Sequence, residues 1–120
     1  MYQNIELIGR LGRDPENRYA PDGTAVTNFD IAVDGGKDKT VWVRITAWDK
    51  LAETCGSFLH KGSVVHVTGS FAPDKATGNP RVFQRKDGTW SAVFEVLARR
   101  VTFLSPKSEG AQAQDYSDLF

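Results

Sequence analysis

Val41-Trp42-Val43-Arg44-Ile45-Thr46-Ala47-Trp48 alternates without a break. Successive side chains of a strand point to opposite faces, so Val41, Val43, Ile45 and Ala47 share one face. Trp42, Arg44, Thr46 and Trp48 share the other. The first set is an ordinary core face. The second places two of the chain's three tryptophans and a guanidinium on the face a protein normally gives to water. Two readings follow. Either the outer face is a flat surface on which planar groups stack, or both faces are buried in a sandwich and the indoles pack.

Upstream, Gln3 to Gly9 carries Ile5 and Leu7 at alternate positions and predicts a first strand. Gly9-Arg10-Leu11-Gly12-Arg13-Asp14-Pro15-Glu16 follows, with glycines that permit tight backbone and a proline that breaks a ladder. It is not a phosphate-cradling loop, because the glycine spacing is wrong and no Lys-Ser/Thr pair follows. Pro21-Asp22-Gly23-Thr24 predicts a turn. A second strand, from about Ala25 to Val33, puts Phe29, Ile31 and Val33 on one face. The polar loop 34–39 leads into the quoted strand, which is the third.

Downstream, Asp49 is expected to cap a helix over roughly 50–60, with Leu51, Cys55, Phe58 and Leu59 as its apolar stripe. Gly62 fits the helix stop, and Gly56 inside it weakens the helix by about 1 kcal/mol relative to alanine. The fourth strand, Val64 to Phe71, turns Val65 and Val67 inward. Residues 72–90 read as a projecting β-hairpin turning at Asp87-Gly88. The last strand, about Ser91 to Ala98, is expected to turn Phe94, Val96 and Ala98 inward. Val101 and Phe103 extend the apolar alternation. From Ser105 the sequence becomes small and polar, a disordered linker ending in Asp115-Tyr116-Ser117-Asp118-Leu119-Phe120.

The totals limit the class. With 120 residues, 40% of them hydrophobic, the chain has enough for one domain with a modest core, residues 1–104, and a short tail, 105–120. No apolar run approaches the roughly 20 residues of a membrane span. Nothing at the start reads as a signal peptide, since strand periodicity begins within a few residues of Met1. A lone Cys55 excludes an internal disulfide and suits a reducing, cytoplasmic compartment. The formal net charge is zero, so bulk electrostatics do not point to nucleic acid. The charge is uneven, however: the tail sets Lys107 against Glu109, Asp115 and Asp118, which leaves the body mildly basic. Cys55, His60 and His66 lack the convergent spacing of a zinc site, and no nucleophile–base pair can be read. No metal, cofactor or catalytic residue is therefore expected.

Three strands, a helix, then two strands joined by a long hairpin is the order of the OB-fold. The expectation is a mainly β chain: a five-stranded Greek-key barrel with one helix between strands three and four. The ligand groove of that fold lies on the outer faces of strands two and three and the adjoining loops, which makes Trp42 and Trp48 its centre.

The resemblance then becomes specific. Asn4-Ile5-Glu6-Leu7-Ile8-Gly9-Arg10-Leu11-Gly12-Arg13-Asp14-Pro15-Glu16 with Arg18-Tyr19 opens it. Gly23-Thr24-Ala25-Val26-Thr27-Asn28-Phe29, Trp42-Val43-Arg44, Lys50-Leu51-Ala52-Glu53, Lys61-Gly62-Ser63-Val64-Val65 and Val101-Thr102-Phe103-Leu104 follow in order. Over about residues 3–104 the chain resembles the bacterial-type single-stranded DNA-binding proteins. The resemblance implies no enzyme but a homo-oligomer, usually a tetramer, that wraps and protects single-stranded DNA in replication, recombination and repair. Trp42 and Trp48 fall where the family places base-stacking aromatics, with Arg44 beside them. Asp118-Leu119-Phe120 resembles the family's partner-recruiting acidic tip, so Asp115, Asp118, Leu119 and Phe120 are candidate contacts to replication and repair proteins. Here the linker is shorter than usual and the tip lacks the usual proline before its last phenylalanine.

The chemistry agrees with that implication. Every base has a π-face, so stacking tolerates any sequence and is worth about 1–3 kcal/mol per base. Arg44 between the indoles can pair with phosphate or lie flat against a base. Arg10, Arg13, Lys37, Lys39, Lys50, Lys75, Arg81, Arg85 and Lys86 are candidate phosphate contacts, each equally readable as a solvated charge. Phe71 and Phe83 can stack or pack, and Trp90 closes the hairpin. Two other classes compete: an OB-fold adaptor whose main job is protein contact, and a nuclease, for which no carboxylate cluster stands out.

Overall fold

The computed structural model describes residues 1–105; Asp115, Asp118, Leu119 and Phe120 lie outside the described residues. The elements are β1 (Ile5–Leu11), β2 (Glu16–Tyr19), β3 (Ala25–Asp34), β4 (Thr40–Trp48), α1 (Asp49–Phe58), β5 (Val64–Phe71), β6 (Val82–Gln84), β7 (Trp90–Ala92) and β8 (Phe94–Phe103). Five strands run in the order β1-β5-β8-β4-β3, and a β1–β3 pairing at Arg10↔Ala32 and Leu11↔Ile31 closes them into a barrel. The β4–β8 pair is parallel and the others are antiparallel. With α1 lying between β4 and β5 in the chain, this is the expected OB-fold.

Period-two alternation builds the interior. Phe29 and Ile31 from β3, Val43, Ile45 and Ala47 from β4, Val65 and Val67 from β5, and Val96 and Ala98 from β8 meet in one buried cluster. Ala52, Cys55 and Leu59 bring α1 into the same cluster. The helix seals one end of the barrel, where β4 ends and β5 begins. The Thr27 hydroxyl, buried in β3, donates to the Ala52 carbonyl at 2.8 Å and ties the helix to the wall.

Several local expectations change, each for a tertiary reason. The break at Gly12–Pro15 divides one bent path into β1 and a short β2 that rejoins β3, with Glu16↔Asn28 through Tyr19↔Ala25 in register. Periodicity could not reveal β2, because all four of its residues are exposed. Gly56 is where β2 and α1 meet: a Cβ there would fall 2.8 Å from the Asn17 amide carbon. Its cost to the helix therefore allows close approach. Asp49 is not the cap. Trp48 occupies that position with extended backbone and no capping side chain, and Asp49 begins the helix at φ 57. Its charge still suits the positive end of the helix dipole.

Gly62 does not stop α1, which ends at Phe58; it turns the chain into β5 at φ 92, with Ser63 N–H bonded to the His60 carbonyl. Phe58 leaves the apolar stripe and meets Phe103 with ring centroids 6.4 Å apart. In β8, Arg99 is an extra residue opposite Thr68/Gly69. That bulge is why the inward alternation passes from Ala98 to Val101.

Phe94 is the largest departure. Its parity points inward, yet it is 65% exposed. β8 begins there, Val43 is its only register partner, and β5 has ended at Phe71 opposite Val96. Among the described residues no further rung of the barrel lies beyond to cover it.

Candidate nucleic-acid interface

The outer face of β4 lies on a wall formed by β2, β3, β4 and β8, and register fixes its rungs. Ala32↔Trp42 is the first, Asp30↔Arg44↔Glu95 the second, Asn28↔Thr46↔Leu97 the third and Val26↔Trp48 the fourth. The indoles thus stand at the two ends of a polar ladder. Six residues of strand separate them, about 20 Å at strand rise. Trp42 is 49% exposed and Trp48 40%, which decides between the two readings of this face: it is not buried in a sandwich.

Gly12 holds Trp42 in place, and sequence reasoning assigned it only backbone freedom. A Cβ at Gly12 would lie 2.7 Å from the Cη2 and Cζ3 atoms of the indole. The ring rests against the bare backbone of the β1–β2 connection, where any larger side chain would displace it. No sequence signal links positions 12 and 42; only the barrel's closure brings them together.

The middle rungs form a row of alternating charge. Arg13 Nη2 donates to Asp30 Oδ2 at 3.1 Å, and Arg44 Nε donates to Asp30 Oδ1 at 3.1 Å. Arg81 grips Glu95 through two bonds, Nη2 to Oε1 at 2.9 Å and Nε to Oε2 at 3.3 Å. This pairing holds Arg81 still more firmly protonated. Its guanidinium also lies 5.6 Å from the Phe83 ring centroid. One rung on, Arg18 Nε donates to Asn28 Oδ1 at 3.2 Å, and Asn28 Nδ2 donates to Thr46 Oγ1 at 2.8 Å. Glu16 Oε1 also lies 3.9 Å from Arg13 Nη2, so the guanidiniums are held at fixed positions with three arginines set against three carboxylates.

The remaining candidates divide by position. Arg10 turns toward the helix end and donates to the Gly62 carbonyl at 3.0 Å. Lys37 and Lys39 sit on the β3–β4 loop, before the strand that carries Trp42, and Lys50 follows Trp48 in the first turn of α1. Lys75, Arg85 and Lys86 are exposed along the 72–90 excursion, as is Trp90, which is 67% exposed. None of these six cations pairs with a described acidic residue. The hairpin turns where expected: Arg85 N–H bonds the Thr89 carbonyl and Gly88 N–H the Arg85 carbonyl. Hydrogen bonds from Thr89 hold the Asp87 carboxyl below the usual carboxylate range and fix that turn.

Between β4 and the hairpin runs a groove of about 680 Å³ lined by Trp42, Arg44, Arg81, Phe83, Arg85 and Phe94, among others. Phe83 is half-buried in it. Phe71 stands apart, 63% exposed at the barrel mouth. The cysteine and histidines form no centre. Cys55 is buried, His66 Nε2 meets Glu6 Oε1 at 3.0 Å, and no metal-holding group of three or more His, Cys, Asp or Glu exists among the described residues. No helix of the described residues is long and apolar enough to cross a membrane.

A closed barrel whose outer wall carries an exposed indole at each end, fixed guanidiniums between them and an adjoining basic hairpin defines an OB-fold binding module. Its surface suits an extended chain of planar, negatively linked groups. Residues 2–104 match the Single-strand binding protein family, and the chain belongs to that family. It is 36% identical over 122 residues to the single-stranded DNA-binding protein of Neisseria meningitidis serogroup A, covering 95% of this chain and 66% of that one. It is 40% identical over 114 residues to the one from Caldanaerobacter subterraneus subsp. tengcongensis, covering 90% and 71%. The crystal structure of the Thermus aquaticus single-stranded DNA binding protein superposes with a TM-score of 0.66 at 28% identity, over 92% of this chain and 44% of that one. The chain thus spans about two thirds of the Neisseria relative and less than half of the Thermus chain.

Proposed function

We propose that this chain binds single-stranded DNA without sequence preference, by stacking bases on Trp42 and Trp48 and neutralising phosphates with the cations around them. The observation that carries the reading is the exposed outer face of β4, with one indole at each end and Arg44 held between them. An indole accepts any base, so the face selects unstacked strands rather than sequence. A duplex keeps its bases stacked on each other and offers none to the rings. Lys37, Lys39, Lys50, Lys75, Arg85 and Lys86 supply the phosphate contacts, and Arg13, Arg44 and Arg81 supply them from within their carboxylate pairs. The reading contains no catalytic step and no metal.

The wider reading is that the chain acts as a homotetramer in replication, recombination and repair inside the cell, with Asp115, Asp118, Leu119 and Phe120 recruiting partner proteins. Its support is family membership and the acidic, apolar-ended tail sequence. Deleting residues 115–120 should leave DNA binding unchanged and abolish capture of replication and repair proteins. A deletion that loses DNA binding assigns the tail to the DNA site instead.

Tryptophan fluorescence during titration with oligo(dT), at low and high salt, tests the platform. Quenching should saturate at a definite nucleotide-to-protein ratio, and log affinity should fall by about 0.7 per tenfold salt for each phosphate neutralised. Trp42→Ala and Trp48→Ala should each weaken binding by about 1–3 kcal/mol while the domain stays folded. Normal binding by both variants removes the platform.

A further inference from the structure

The barrel end opposite α1 is open. Phe94 and Phe71 stand there, 65% and 63% exposed, although the parity of both strands directs them toward the barrel axis. They line a second groove, of about 580 Å³, whose walls include Pro73, Pro80 and Val93. Two prolines make those walls stiff. Phe94 and Arg81 line both this groove and the one that holds Trp42 and Phe83. The two depressions therefore meet across one shared ring and one shared guanidinium, beside the Trp42 end of the ladder.

Resting on the platform reading, we propose that Phe94 and Phe71 form a second stacking station, which takes the continuing nucleotides of the same DNA strand as they leave Trp42. Continuity selects this occupant. A strand lying along Trp48, Arg44 and Trp42 is delivered by the direction of β4 to the mouth, where Phe94 is the next exposed ring. The charge at the junction agrees. Lys75 and Arg85 are exposed on the excursion whose residues wall the groove. Arg81 and Glu95, both on the groove wall, neutralise each other. An edge-exposed phenyl ring offers a base the same flat apolar surface as an indole, with less area. The site deepens the interface rather than repeating it, since it lengthens the strand one subunit covers.

Oligothymidylates at the two ends of the site sizes known for a single OB-fold, about 4 and about 16 nucleotides, separate the stations. Phe94→Ala should weaken binding of the longer strand by about 5- to 150-fold, the range for one lost base–ring stack, and weaken the shorter by less. It should also lower the nucleotides bound per protein at saturation. Phe94→Leu keeps apolar bulk and loses the flat ring, so it should behave like the alanine variant; full binding by leucine overturns the stacking role. Crosslinking the unmodified protein to a 5-iododeoxyuridine strand, with the sites mapped by mass spectrometry, is independent of how either variant folds. Adducts at Phe94 or Phe71 support the second station, and adducts confined to Trp42 and Trp48 overturn it. A change of sedimentation mass in Phe94→Ala also overturns it, because the ring then belongs to a contact between copies. If the unaltered protein binds neither strand, the platform reading itself fails. Equal binding of both strands by all proteins removes only the second station.

Discussion

At the helix end of the barrel, Ala47, Ala52, Cys55 and Val64 are fully buried, and Thr27 beside them donates its buried hydroxyl to the helix backbone. At the mouth, Phe71 and Phe94 stand more than half exposed on strands of the same alternation. Both ends are built from apolar side chains directed along one axis. What differs is the presence of a covering layer. α1 supplies it at one end, and nothing in the described chain supplies it at the other. The outer face of β4 lies between these extremes, with its rings open and its arginines already held by Asp30 and Glu95. Apolar groups that the chain covers give stability, and those it leaves open meet solvent.

Three measurements break or sharpen this contrast. The largest effect is expected in the covered core. Ile45 has no solvent exposure, and Ile45→Ala should cost about 2–5 kcal/mol of stability in urea unfolding. An equally large loss on truncating Phe94 would erase the difference between the two ends.

Next comes Cys55, whose thiol burial pushes up to about 11. Below about pH 8.5, the ordinary thiol value, it is neutral in both the folded and unfolded states and burial contributes in full. Between that pH and about 11 the unfolded chain loses its proton first, so stability should fall, by on the order of 3 kcal/mol. Cys55→Ala should lack this part of the decline. Parallel pH profiles for the two proteins would place the thiol in contact with water.

The smallest effect is on the outer face. Asp30→Asn removes the carboxylate that competes with phosphate for Arg13 and Arg44, so single-stranded DNA should bind tighter by about 1 kcal/mol, with a steeper salt dependence. Weaker binding would instead make Asp30 the group that holds Arg44 in its productive pose.

Much of this was legible in the residues. Strand alternation placed Val43 and Ile45 inside and Trp42 and Trp48 outside, because side-chain direction in a strand depends only on parity. The hairpin turn at Asp87-Gly88 and the helix after Trp48 followed from equally local chemistry. Asp49 misled because its side chain suits a cap, while the backbone leaving β4 gave that position to Trp48. β2 was hidden because pairing along the rim of a barrel buries no side chain that a pattern could reveal.

By itself the sequence determined the order of the five barrel strands and the helix, the two faces of β3, β4 and β5, and the family. The tertiary structure alone decided that Gly12 lies against Trp42, that Asn17 fills the space left by Gly56, that Asp30 and Glu95 hold the groove arginines, and that Phe94 is open. Periodicity is a property of neighbours in the chain and survives without the fold. A contact partner, or the lack of a covering layer, depends on register between distant strands and on where each strand ends. Those are settled only when the barrel closes.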